Sequence, residues 1–231
     1  MRNAREMGRV GALLLVLSTT LSARAASPPE ARSLQPVLGV AALGGAAGAG
    51  LALEGRLRTA SGVQVGIGVT SQALRVAHAG GYVVRGVSSN EVQLLALFPL
   101  LESQGFELDL RLATGLIYLY DVGRLESPYR HAVRSSTEVA CLAHVRLGDR
   151  NVLRAGVLLG FDLETEPTTS LADQSQLLSV GFGRALGAST LLYASVDGGG
   201  TYGFDGDNGK AMLRGSLGLR FTLGGDARMA F

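Results

Sequence analysis

From Phe106 to Tyr120 apolar and polar side chains change places at nearly every step, with Phe106, Leu108, Leu110, Leu112 and Leu116 at even positions and Glu107, Asp109 and Arg111 at odd ones. In an extended chain successive side chains point to opposite faces, so this spacing gives a strand one apolar and one charged surface. Wound at 3.6 residues per turn, the same residues would be mixed around a helix. The segment therefore reads as a strand whose two sides meet different surroundings.

The pattern recurs along the chain. Leu51, Leu53, Gly55 and Leu57 alternate with Ala52, Glu54, Arg56 and Arg58, and Val63, Val65, Ile67 and Val69 with Gln64, Gly66, Gly68 and Thr70. Val139, Cys141, Ala143 and Val145 share one face of a strand over 136–147, and Leu153, Ala155, Val157, Leu159 and Phe161 one face of the next. Near the end Leu213, Leu217, Leu219, Phe221 and Leu223 alternate with Arg214, Ser216, Gly218, Arg220 and Thr222. Pro36 to Leu53 is uncharged and rich in Gly and Ala, which suits either a small-residue membrane helix or two strands joined near Gly45 to Gly48. The alternation that follows favours strands, because a helix would carry the charges of Glu54, Arg56 and Arg58 on every side. Further strands fall at 91–101, 175–184 and 190–199, with Pro99 near the end of the first, where a bulge or strand terminus tolerates it.

Connections alternate in kind. Short turns near 59–62, 103–105, 148–151 and 186–189 separate longer connections near 76–90, 121–134, 164–173 and 200–209, the first of them a hairpin folding back at Gly80-Gly81. The expected fold is all-β, a single closed antiparallel barrel of ten strands over 36–231, or of eight if 36–45 and 175–184 are not strands. The 33 glycines among 231 residues relieve crowding at such a wall.

Residues 1–25 have the form of a secretory signal peptide: Arg2, Arg5 and Arg9 precede the apolar run Val10 to Leu17, and Ala23-Arg24-Ala25 offers small residues for cleavage. That run is far short of the roughly 20 residues a membrane helix needs. Residues 26–35 read as a periplasmic tail. Cys141 is the single cysteine, so no disulfide forms within the chain and no lipid-accepting cysteine follows the leader. The net charge of +2 is carried by dispersed arginines, a distribution that does not call for nucleic acid.

With this leader, alternation and asymmetry of connections, the chain resembles the bacterial outer-membrane β-barrel families, especially the small OmpA-like and OmpX-like barrels. The resemblance covers about 36–231 and extends to the ending, where Leu217, Leu219 and Phe221 look like the alternating signal read by the barrel assembly machinery. A terminal Phe is usual in those families, and Phe231 is last, although Gly224-Gly225-Asp226 separates it from the alternation. The resemblance implies short periplasmic turns, external loops, contact with outer-membrane lipid and a monomer. Without Trp, an aromatic girdle falls to Tyr118, Tyr120 and their like.

Candidate chemistry is sparse. His131, Ser135, Ser136 and Glu138 bring a base, hydroxyls and an acid close in sequence, but at no hydrolase spacing. Asp205-Gly206-Asp207-Asn208-Gly209 matches the opening of a calcium loop, yet the position requiring a bidentate Glu is Ser216. His78 stands alone, and His144 falls on a polar face where a hydrogen bond to a lumen carboxylate is expected. No cofactor or metal is called for.

The polar face itself is the fullest constellation: Glu54, Arg56, Arg58, Glu91, Glu107, Asp109, Arg111, Glu138, His144, Arg146, Arg154, Asp162, Arg214 and Arg220. Arg or Lys on a lipid face costs about 2–4 kcal/mol at midplane, so this face belongs to the lumen. Acids and arginines nearly cancel there, which predicts a lumen largely filled by ion pairs, among them Asp109 with Arg146. The expected role is structural or surface interaction through external loops; the alternatives are a small passive channel and a lipid or peptide hydrolase.

Overall fold

The computed structural model describes residues 34–45, 48–79, 82–121, 131–166, 170–203 and 210–223. The leader assigned to 1–25, most of the tail, Asp205 to Gly209 and Phe231 lie outside them. Each alternating segment is a strand: β1 Gln35–Gly45, β2 Gly48–Arg58, β3 Gln64–Ala79, β4 Tyr82–Ser103, β5 Phe106–Asp121, β6 His131–Leu147, β7 Asn151–Glu166, β8 Ser170–Ala185, β9 Thr190–Gly203 and β10 Lys210–Thr222. All neighbours pair antiparallel in chain order, and β1 pairs with β10, so the sheet closes on itself. Closure leaves no edge strand to present unpaired backbone groups.

At one end of the barrel the connections are tight. Gly105 and Gly148 take φ of 84° and 67° in two of them, a region that a side chain disfavours. At the other end the strands run further than their sequence pattern suggests: β6 begins at His131 rather than 136, β8 at Ser170 rather than 175, and β9 continues to Gly203. The connections expected at 121–134, 164–173 and 200–209 are correspondingly shorter, while β3 and β4 form the expected long hairpin. Pro99 sits at a register shift between Pro99 and Leu101, where a missing N–H leaves no gap in the ladder.

The early start of β6 sets the β5–β6 register. Tyr120 opposes His131, so Asp109 opposes Leu142 and not Arg146, a slip of four residues from the expected pairing. Arg146 lies beside the β4–β5 turn instead, its backbone N–H donating to the Gly105 carbonyl at 2.8 Å.

Stepping between directly opposed residues from Tyr118 through Asn90, Ser71, Leu51, Ala42, Leu217, Ala194, Phe182, Leu153 and Val145 leads back to β5 at Phe106, twelve residues below the start. A stagger of this size around ten strands tilts them by roughly 40°, given a rise of about 3.3 Å per residue and a spacing of about 4.8 Å. Tyr118 and Tyr202 then lie about 20–25 Å along the axis from Phe182 and Phe221. All four rings are exposed on the outer face, flanking a band in which Leu51, Leu94, Leu116 and Leu178 are 59–66 % exposed. Leucines so bare are unfavourable in water, whereas an apolar band of about 25 Å between aromatic girdles matches a bilayer core.

Inside, apolar side chains gather in clusters. Ala140, Leu142, Leu158 and Leu177 form a buried apolar cluster on the wall from β6 to β8. Val152, Leu191, Tyr193 and Ala41 make a second, reaching toward the end with the tight turns. Val87, Leu119 and Ala132 make a third toward the opposite end. The lumen is thus apolar in patches, and its charges concentrate where those patches leave off.

Candidate functional site

Side-chain parity along the strands carries the charged residues inward. Arg56, Arg58, Asp109, His144, Asp197 and Arg220 are all buried, although they belong to five different strands. Glu54, Glu91, Glu107, Arg111, Glu138, Arg154, Asp162 and Arg214 share the same inward parity. Arg146 has it too but stands exposed at the mouth with the tight turns.

Two groups of ion pairs bridge strands that are not neighbours. Halfway along the lumen Glu138 on β6 forms ion pairs with Arg111 on β5 at 3.1 Å and with Arg214 on β10 at 3.5 Å. Arg214 also donates through Nε to Asp197 on β9 at 2.7 Å. Since three strands, β7 to β9, separate β6 from β10 one way round the barrel and five the other, this chain of four charges runs across the lumen rather than along the wall. Nearer the tight turns Glu54 contacts Arg56 on its own strand and lies 3.7 Å from Arg220. The Arg220 guanidinium lies 4.6 Å from the centre of the Tyr193 ring, a cation–π stack. Arg58 approaches Glu107, three strands away, at 4.0 Å.

His144 lies near a lumen carboxylate, its Nε2 3.6 Å from Asp109 Oδ2, longer than the expected hydrogen bond. Neutral groups complete the lining. Glu91 accepts from Gln93 at 2.6 Å and from Ser136 at 2.7 Å, Arg154 reaches Ser179 at 3.4 Å, and the hydroxyls of Ser195 and Ser216 bond at 2.7 Å. Tyr193, Ser179 and Arg134, which is also buried, escaped the sequence reading. Their inward parity was available as a signal, but in short polar or aromatic surroundings it does not stand out from the pattern.

The acid, base and hydroxyls near His131 do not converge. His131 and Ser135 belong to the outward face of β6, with the His131 ring stacked on Tyr118 at 6.1 Å, whereas Ser136 and Glu138 point into the lumen. Among the described residues no group of three His, Cys, Asp or Glu side chains is placed to hold a metal ion. Cys141 is exposed on the outer, apolar face. Phe221, at the end of the alternating C-terminal segment, faces outward opposite Leu38 in the β1–β10 seam, as do Leu217 and Leu219.

Beside the charge chain, whose four residues line it, the lumen holds a cavity of about 240 Å³. Gly45 and Gly48 form part of its wall, and Arg154, Tyr193 and Arg220 lie at its deep end.

A closed antiparallel barrel with an apolar exterior between aromatic girdles and an ion-paired interior is the fold of the bacterial outer-membrane β-barrels. No family model matches the sequence, and no curated protein matches it. Among solved structures the chain is similar to the β domain of the Bordetella autotransporter BrkA, with 14 % identity over 83 % of this chain and 100 % of that one and a TM-score of 0.48. It is similar to the outer membrane protease OmpT of Escherichia coli, with 9 % identity over 86 % of this chain and 99 % of that one at a TM-score of 0.44. The KdgM porin matches with 10 % identity over 81 % of this chain and 99 % of that one, at a TM-score of 0.43.

Proposed function

We propose that this protein is a non-enzymatic, monomeric barrel of the bacterial outer membrane, exported by a cleaved leader and inserted by the assembly machinery, whose lumen is closed by ion pairs and whose role is exercised on the external side. The end with tight turns faces the periplasm and the end with longer connections faces outward, in keeping with the asymmetry of such barrels. The observation that carries this reading is the chain Arg111–Glu138–Arg214–Asp197, which joins strands on opposite sides of the lumen. Side chains just fill an eight-stranded barrel; ten strands leave more room, and here charged side chains together with Leu95, Leu97, Leu142 and Leu158 take up part of it.

The test is electrical. The purified protein in a planar bilayer is expected to show little steady conductance. Large, steady openings of the unmodified protein would reject the closed lumen and promote the small-channel reading.

A further inference from the structure

We infer that the lumen takes the uncharged, hydroxylated head of a membrane amphiphile, which enters sideways from the outer leaflet through a notch above β1 and β2 while its alkyl chain stays in the lipid. This rests on the reading that the end with longer connections faces outward, and it goes beyond the plug to a lumen open at its side.

The notch follows from strand lengths. β1 stops at Gly45 and β2 starts at Gly48, so only two residues join them. β10 extends past its ladder with β1, since Lys210 to Leu213 pair with β9 alone. β3 likewise extends past its ladder with β2, which ends at Leu74, and Val76 to Ala79 pair with β4 alone. With the strand tilt already derived, height changes by about 2.5 Å per residue along a strand and about 3 Å per strand around the wall. Gly45 and Gly48 then lie within about 5 Å of the level of Tyr118 and Tyr202, whereas the β3–β4 hairpin rises roughly 15 Å beyond it. The wall is therefore lowest at the lipid boundary, across a gap between β10 and β3 about 14 Å wide.

The cavity beside the charge chain reaches this gap. Leu43 and Gly45, which face inward, line it together with Gly44, Leu213 and Gly215, which face outward. Gly44 and Gly215 are directly opposed, so the seam there carries no side chain on its outer face. No residue from Pro36 to Leu53 is charged, which lets the lip sit against hydrocarbon. At about 240 Å³, roughly the share of eight liquid waters, the cavity holds a single sugar ring but not a ring and a long alkyl chain together. The chain is thus left outside, along the β1–β10 seam.

The lining selects the head. Its charges are engaged with one another: Glu138 with Arg111 and Arg214, Asp197 with Arg214, and Arg220 with Glu54. Arg154 is attracted by Asp197 and bonds Ser179, and Glu91 accepts from Gln93 and Ser136. An ionic head would have to break into these pairs, whereas hydroxyls find partners without doing so. Thr70 and Gln72 offer such partners, and because Ser195 and Ser216 bond each other at 2.7 Å, one of the two keeps its proton to donate.

The test uses dodecyl glucoside with a photoreactive diazirine on the sugar, added to the full-length protein in lipid nanodiscs and irradiated, with labelled residues read by mass spectrometry. Label is expected on the inward residues Thr70, Ser195 and Met212. Plain dodecyl glucoside in about tenfold excess should cut that label by about tenfold, while the same amounts of glucose, laurate or dodecylamine leave it within about twofold. Gly44→Phe, where an added Cβ meets no atom within 4 Å, should block the gap, and Ala52→Phe should fill the cavity, each removing the lumen label. Circular dichroism and the gel mobility of the unheated protein check that both variants fold. Label confined to outward residues such as Leu51 and Leu116, or lumen label that survives in both folded variants, would overturn the site. Competition by glucose equal to that of dodecyl glucoside would overturn sideways entry, and stronger competition by laurate or dodecylamine would overturn the uncharged head. Nanodiscs expose both leaflets to the probe, so the orientation is tested separately by tags on intact cells. Conductance separates the site from the plug: a silent barrel without lumen label refutes the site alone, and a conducting barrel with it refutes the plug alone.

Discussion

Replacing Glu138 with glutamine keeps the shape of the side chain and removes the charge that holds Arg111 and Arg214 together at 3.1 and 3.5 Å. The two guanidiniums are then left facing one another, with Asp197 the remaining acid on Arg214. Deleting one partner of a fully buried pair costs about 3–5 kcal/mol, whereas an exposed pair is worth about 0–1 kcal/mol. The side chains lie between those limits, since Glu138 is 17 % exposed, Arg111 25 % and Arg214 42 %. An intermediate loss of about 1–3 kcal/mol is therefore expected. At about 2 kcal/mol per molar urea, this lowers the urea midpoint of the folded barrel by roughly 0.5–1.5 M. The assay is urea unfolding in lipid vesicles, followed by tryptophan-free tyrosine fluorescence or gel mobility, with the Asp149→Asn turn variant as control. Because the same bridge crosses the lumen, bilayers containing Glu138→Gln should also show leak currents. A variant with an unchanged midpoint and no leak would refute the view that this chain of charges closes the barrel.

The register makes a sharper claim about the other end of the lumen. In a double-mutant cycle, Asp109→Ala and His144→Ala should be coupled, while Asp109→Ala and Arg146→Ala should add within about 0.5 kcal/mol; coupling to Arg146 instead would restore the pairing that the ladder excludes. Epitope tags placed in 122–130 or between β7 and β8 should be labelled on intact cells, and labelling only at 104–105 or 148–150 would invert the barrel. Phe221→Ala should reduce membrane insertion while deletion of 225–231 is tolerated, and the reverse result would assign the assembly signal to Phe231.

Strand identity, sidedness and closure were all legible in the sequence because side-chain parity is a local property. Whether Asp109 points inward depends on its neighbours at 108 and 110, and alternating apolar and charged residues report that directly. Pro99 at a bulge and Tyr118 in a girdle follow from equally local rules, the missing N–H and the amphipathic ring. Partnership is another matter. Which residue faces Asp109 depends on how far the β5–β6 hairpin zips toward its connection, and the extension of β6 to His131 moved that answer by four residues to Leu142. Contacts across the lumen are further removed still: Glu138 meets Arg214, and Arg58 meets Glu107, only because the stagger accumulated around all ten ladders brings them to one height. No single segment encodes that sum. The sequence by itself therefore determined an inside and an outside, and the closed sheet decided which charges meet and where between them a cavity is left.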